Sequence, residues 1–246
     1  MSNIDKIYGI HAVESILSRN PQNIIQLFLL KNRKDKALSN IETLAKHAGI
    51  KCQNIERKKM DERVHGNHQG VIAEVKISDA LMNESQLLEL AESKEDLFLL
   101  ILDGVTDPHN LGACIRTADA AGVDAIVLPK DRSASMNATV RKVACGAAEN
   151  VPLVKVTNLA RFLKQLRDEF VWVVGTAGEA DNNVYQTKFS KKTAIVMGAE
   201  GSGMRRLTRE NCDELINIPM AGSVSSLNVS VATGVCLFEY VRQCRC

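Results

Sequence analysis

Three segments of this sequence carry residue types suited to chemistry. The first runs Asp103-Gly104-Val105-Thr106-Asp107-Pro108-His109-Asn110-Leu111-Gly112 and leads into Arg116. On a helix, Asn110, Ala113, Arg116, Thr117 and Ala120 share one face: two long polar groups among small side chains. Such a face lets another backbone or a ligand come close beside a cation. Viewed alone, Asn110 could equally cap the helix, and Arg116 could be a solvated helix residue. The second segment is Gly198-Ala199-Glu200-Gly201-Ser202-Gly203-Met204. Its glycines permit close backbone approach to a ligand, and Glu200 is an odd residue for a tight turn after a buried strand. The spacing G-x-x-G-x-G is not the dinucleotide fingerprint, and the Gly-Lys-Ser/Thr of a phosphate loop is missing. An ordinary glycine turn is the plain alternative. The third segment runs from Ile218 through Met220, Ser225, Ser226, Leu227 and Asn228 to Gly234. Ser225 or Ser226 can cap a final helix. Asn228 then falls in the first turn, where free N–H groups and the positive dipole end attract acceptors. Ser230 and Gly234, four apart, allow close packing against another element or another subunit.

The elements that must hold these segments follow from periodicity. Residues 97–102, LFLLIL, form a continuous apolar run ending at Asp103, as a buried parallel strand does. Strands are expected over 125–128, 151–156, 171–175, 194–198 and 215–218. Helices are expected over 111–121, 138–148, 159–169 and 227–243. That βα alternation predicts an α/β domain with a parallel sheet, whose ligands bind outside the carboxyl ends of the strands. The first part reads as a smaller α/β unit, with helices over 9–19 and 37–48 and strands over 24–30 and 71–75. Residues 56–69 are dense in charge and histidine, as a solvated loop or exposed helix would be. The expected division is 1–76, a connector at 77–96, and 97–246.

Composition narrows the function classes. Hydrophobic residues make up 45% and aromatics 4% of the 246 residues, so Val, Ile, Leu and Ala build the core. Residues 1–76 carry 13 Lys and Arg against 8 Asp and Glu, a net of +5. Residues 77–246 carry 18 against 21, a net of −3. The basic N-terminal part suits a polyanionic partner, or a solvated surface with no partner. The seven cysteines include no CxxC pair, and no metal-ligand cluster stands out. No stretch reaches the roughly 18 apolar residues of a membrane span. The start has no apolar run, so no secretory leader is expected. Reduced thiols in a cytoplasmic chain are the simplest account.

Together, NLGACIRTADAAG, IVMGAEGSGM and IPMAGSVSSLNVSVATG resemble, in order and spacing, the three motifs of the SpoU (TrmH-like) family of RNA 2′-O-ribose methyltransferases, in the SPOUT class. The start, IYGIHAVESIL with HQGVIAEV later, resembles the RNA-binding extension of the branch that methylates a guanosine ribose of 23S ribosomal RNA. The resemblance implies an N-terminal domain like ribosomal protein L30e and a C-terminal domain with a deep trefoil knot. It implies S-adenosylmethionine as cofactor, held at Thr176, Gly198, Ile218, Met220 and Leu227. It also implies a homodimer and an RNA partner, 23S rRNA or its precursor particle, with neither metal nor membrane. Arg116 would be catalytic, with Asn110, Glu200, Ser226 and Asn228 orienting it, the ribose and the loop. A guanidinium keeps its proton far above neutral pH. Gripping a phosphate and stabilising a developing alkoxide is therefore the easier role for it. Candidate RNA contacts in the N-terminal part are Lys31, Arg33, Lys34, Arg57, Lys58, Lys59 and His65. Two readings stand beside this one: a transfer-RNA ribose methyltransferase of the same family, and a non-catalytic RNA-binding protein of ribosome assembly. A nicotinamide-dependent oxidoreductase would rest on the α/β pattern alone and lacks its fingerprint.

Overall fold

A computed structural model describes residues 4–33, 35–76 and 82–246. The chain divides into two compact units. In the first, strands β1 (Ile4–Tyr8), β2 (Ile24–Leu30), β3 (Cys52–Ile55) and β4 (Val71–Lys76) form one sheet in the order β1-β4-β2-β3. β4 runs antiparallel to β1 and β2, and β2 runs parallel to β3. Alternation sends Leu27, Leu29, Val71 and Ala73 to one face, where helices α1 (Ile10–Arg19) and α2 (Lys36–His47) bury Val13, Ile16, Ile41 and Ala45. Phe28 and Ile72 point to the other face, against Met60 of α3 (Arg57–Arg63). Periodicity alone misses β1 and β3. β1 is five residues interrupted by charge. β3, CQNI, is a polar edge strand with only Ile55 buried.

The second unit contains α4 (Glu84–Ser93), β5 (Leu97–Asp103), α5 (Pro108–Ala121), β6 (Ala125–Pro129), β7 (Leu153–Val156), α7 (Leu159–Asp168), β8 (Trp172–Thr176), β9 (Asn182–Asn183), β10 (Lys192–Gly198), α8 (Arg206–Glu210), β11 (Glu214–Asn217) and α9 (Val229–Cys244), while α6 (Ala138–Ala144) belongs elsewhere. Its seven strands pair in the order β7-β6-β5-β10-β8-β11-β9, and every pairing is parallel. β5 is buried along its whole length, as its apolar run requires. Each large aliphatic side chain so buried contributes about 1.5–3 kcal/mol. β10 lies between β5 and β8, although both precede it in the chain.

Two expectations about organisation change. The expected connector 77–96 is largely structured. Residues 77–81 lie outside the described set, but α4 follows with a full capping box between Asn83 and Gln86. Leu87 and Ala91 are buried in the core of the second unit, so α4 is part of that unit. Residues 136–150 fall between two strands of the large sheet, yet they cluster with the first unit. The reason is packing: Ala138 sits against the cluster of Tyr8, Phe28, Ile55 and Met60, and Ser15 donates to the Gly146 carbonyl at 3.4 Å. Consecutive residues need not belong to the same core.

Candidate active site

β8, β10 and β11 end at one edge of the sheet, and the loops after them enclose a cleft of about 590 Å3. Clefts of this size at strand carboxyl ends are where small ligands bind in open α/β sheets. Met197, Met204, Ile216, Ile218, Met220 and Leu227 supply its apolar lining. Glycine is required at position 198: an added Cβ would lie 2.4 Å from Gly203 C and Met204 N. The loop folds back that tightly because Ala199 and Gly203 exchange two backbone hydrogen bonds of 3.1 and 2.9 Å. Its far end is tied to β5. The buried Asp103 carboxylate accepts from the Arg205 backbone N at 2.9 Å and from its guanidinium Nε at 2.6 Å.

This loop presents Glu200 to the start of the last helix. Glu200 Oε1 accepts from Asn228 Nδ2 at 2.5 Å and from the Val229 backbone N at 3.3 Å. Asn228 Nδ2 also donates to Asn110 Oδ1 at 2.9 Å. Asn110, Asn228 and Glu200, far apart in sequence, thus form one hydrogen-bonded chain. The caps explain why. Asp107 caps α5, its carboxylate accepting from the backbone N of His109 and of Asn110, both at 3.2 Å, with Pro108 in the first turn. Asn110 is therefore not the cap, and its side chain reaches Asn228. Asn228 caps α9, accepting from Ser230 N at 3.0 Å and Ser230 Oγ at 2.6 Å. The expected serine cap at 225 or 226 is thereby replaced, and the helix starts at Val229 rather than 227. The two helices are held side by side: Gly234 faces Thr117, and Cys114 Sγ lies 3.5 Å from Thr233 Oγ1. Burial pushes the Cys114 thiol up to about 11, so no thiolate nucleophile arises there at neutral pH. Replacing Asp107 with Ala is expected to lower stability by about 1 kcal/mol in urea unfolding. An unchanged midpoint would show that the cap carries no weight.

The expected cofactor residues Thr176, Gly198, Ile218, Met220 and Leu227 all line the cleft, as do Glu200, Ser226 and Asn228. Thr176 Oγ1 donates to the Val196 carbonyl at 3.0 Å, so the strand end holds that side chain. Asn110 reaches the cleft through Asn228. Arg116 is exposed on α5 and is not among the described residues lining the cleft of its own chain. Sequence reading passed over Glu179 and Arg209, which line the cleft as an ion pair. Their signal was position, just after β8 and just before β11. In the first unit, Lys31 and Arg33 follow β2, and Arg57, Lys58 and Lys59 follow its parallel neighbour β3. The Lys31 N–H donates to the Ile55 carbonyl at 2.9 Å, so both groups lie at one end of the sheet. His65 lies in the loop leading to β4, which starts at that same end. All six are exposed. Lys34 lies outside the described residues. Among the described residues, no cluster of three His, Cys, Asp or Glu could hold a metal, and no helix is long and apolar enough to cross a membrane.

Comparison with known proteins places this geometry. Residues 97–238 match the model of the SpoU rRNA methylase family, and residues 6–80 match a model described as RNA 2′-O ribose methyltransferase substrate binding. The chain is 60% identical over 244 residues to the 23S rRNA (guanosine-2′-O-)-methyltransferase RlmB of Vibrio parahaemolyticus, covering 99% of this chain and 98% of that one. It is 60% identical over 240 residues to RlmB of Escherichia coli, covering 97% and 98%. Its fold is shared by the SpoU methyltransferase AviRb from Streptomyces viridochromogenes, solved in complex with AdoMet, with TM-score 0.79 and 22% identity over 98% of this chain and 90% of that one. A family match over more than half the sequence, with near-complete coverage by those relatives, makes this chain a member of the SpoU rRNA methylase family.

Proposed function

We infer that the chain is an S-adenosylmethionine-dependent methyltransferase acting on the ribose 2′-hydroxyl of a guanosine in 23S rRNA. One observation carries the reading. The cleft gathers residues of three distant segments, Asn110, Glu200 and Asn228, into one hydrogen-bonded chain, in a sequence 60% identical over nearly its whole length to two such enzymes.

The cleft suits the cofactor. Ile218, Met220 and Leu227 give an apolar slot for adenine, and backbone at Gly198, Ile218 and Leu227 can satisfy its polar edge. When bound, S-adenosylmethionine supplies an electrophilic methyl group on a sulfonium. The protein's share is alignment and electrostatics. Glu200 orients the Asn228 amide and the first free N–H groups of α9. Asn110 spends its carbonyl oxygen on Asn228, and its amide N–H groups serve an RNA oxygen. Ser226, exposed at the cleft, offers a hydroxyl to the ribose or an adjacent phosphate. Arg116 grips the phosphate and stabilises negative charge developing on the ribose oxygen.

The finer features belong to the same reading. Arg116 stands outside its own cleft wall, and α9 exposes Val231 and Phe238. A homodimer in which Arg116 serves the cleft of the partner accounts for both. A trefoil knot, which the family resemblance implies, belongs to the same reading. The N-terminal part, proposed as L30e-like, receives structured RNA through Lys31, Arg33, Arg57, Lys58, Lys59 and His65, by charge and shape. Seven free thiols fit a reducing cytoplasm. The test is a map of 2′-O-methylated positions in ribosomal RNA from cells with and without this protein. One guanosine in 23S rRNA is expected to lose its methyl group. Loss at a transfer-RNA position instead, or no change anywhere, defeats the assignment.

A further inference from the structure

The cleft has an ionic rim that the mechanism above leaves unused. Three charged residues line it among those described: Glu179, Glu200 and Arg209. Glu200 is committed to Asn228 and to the start of α9. Glu179, in the loop after β8, and Arg209, on α8, are ion-paired with each other. Both stay well exposed, with 62% and 42% of their side-chain surface open to solvent. An ion pair at such exposure is weak, because water screens it and two long side chains must be ordered to keep it. It is easily exchanged for better partners.

The proposed cofactor brings such partners. Its amino-acid end is a zwitterion, with one carboxylate and one ammonium on the same carbon. Arg209 is the single cation among the described cleft-lining residues, and its planar fork matches a carboxylate. Glu179 is the single lining carboxylate not already serving the catalytic loop. We propose that Glu179 and Arg209 form the subsite for this zwitterion, trading their mutual pair for its ammonium and carboxylate respectively. The exchange conserves charge: one pair opens and two form, with no group left uncompensated. The pair would thus select for the full amino-acid moiety, while the apolar slot holds the nucleoside. This proposal rests on the cofactor reading above.

The experiment measures binding by calorimetry for the full chain and the variants Glu179→Gln and Arg209→Gln. The probes are S-adenosylhomocysteine, decarboxylated S-adenosylmethionine, and 5′-methylthioadenosine, which lacks the amino-acid moiety. Both side chains are exposed, so the substitutions leave the core untouched. Each variant is expected to weaken S-adenosylhomocysteine by about tenfold and leave 5′-methylthioadenosine within about twofold. Decarboxylated S-adenosylmethionine is expected to respond to Glu179→Gln but not to Arg209→Gln. Equal losses for 5′-methylthioadenosine would mean that the pair holds the loop or the nucleoside, and would overturn the proposal. So would unchanged affinity for all probes. If the unaltered chain bound none of the three, the cofactor reading itself would fall, a result distinct from either of those.

Discussion

Replacing Arg116 with Ala is expected to lower methyl transfer to RNA by about a thousandfold while leaving S-adenosylmethionine affinity within about twofold, as for loss of one preorganised charge at a developing anion. The split follows from position. The described lining of the cleft, Thr176, Gly198, Ile218, Met220 and Leu227 among it, holds the small molecule without calling on Arg116 of the same chain. The ribose oxygen becomes more negative as it attacks, and a fixed guanidinium favours that state over the ground state. Lys at this position is expected to recover little, because a point charge cannot match the two-pronged grip on a phosphate. Where the guanidinium acts is a separate question, answered by mixing. Inactive Arg116→Ala chains and inactive Asn228→Ala chains, combined as heterodimers, would regain activity if each site draws on both subunits. Normal turnover by the Arg116→Ala variant alone would remove the residue from the mechanism, and failure of the mixture to regain activity would return it to its own chain.

Gly198→Ala is expected to weaken S-adenosylmethionine binding by about a hundredfold, roughly 2.7 kcal/mol. The added methyl carbon would sit 2.4 Å from two backbone atoms, Gly203 C and Met204 N. Neither can swing aside as a side-chain tip would, so the loop must open. A displacement near 1 Å in a positioned loop is enough for a loss of this order. Opening would also carry Glu200 away from Asn228 and Val229, releasing the start of α9. A matched control exists in the same unit. At Gly234 an added Cβ would meet only Thr117 Cγ2 at 3.7 Å, an ordinary contact, so Gly234→Ala is expected to bind the cofactor normally. Calorimetry on both variants, with near-ultraviolet circular dichroism to confirm native packing, decides it. Tight binding by Gly198→Ala would show that the closed turn is not what shapes the cleft.

Much of the candidate site stood out in the sequence because its residues contradict their local surroundings. A glutamate inside a glycine turn, a cluster of serines and an asparagine before an apolar helix, and an arginine among alanines are costly choices for a scaffold. Their types alone pointed to Glu200, Ser226, Asn228 and Arg116. The caps were misplaced, because Asp107 and Asn110, or Ser226 and Asn228, are chemically equivalent as local acceptors. Only the position of the neighbouring helix decides which side chain turns inward. Glu179 and Arg209 gave no signal in residue type, only in position, since charged residues are ordinary both in loops and on short exposed helices.

Strand and helix types in the large unit followed from hydrophobic period, which is a property of each segment alone. The class of the fold and the end of the sheet that holds the site follow from that. What only the tertiary structure decided is the order of the strands. No local pattern tells β10 to enter between β5 and β8, because all three are apolar runs that any parallel neighbour would satisfy. The same holds for residues 136–150, whose small apolar side chains could pack in either unit and do so in the first. Those two choices rest on long-range packing. The strand order sets the ends of β5 and β10 side by side, and the long-range packing of the loops beyond them brings Asn110, Glu200 and Asn228 within hydrogen-bonding distance.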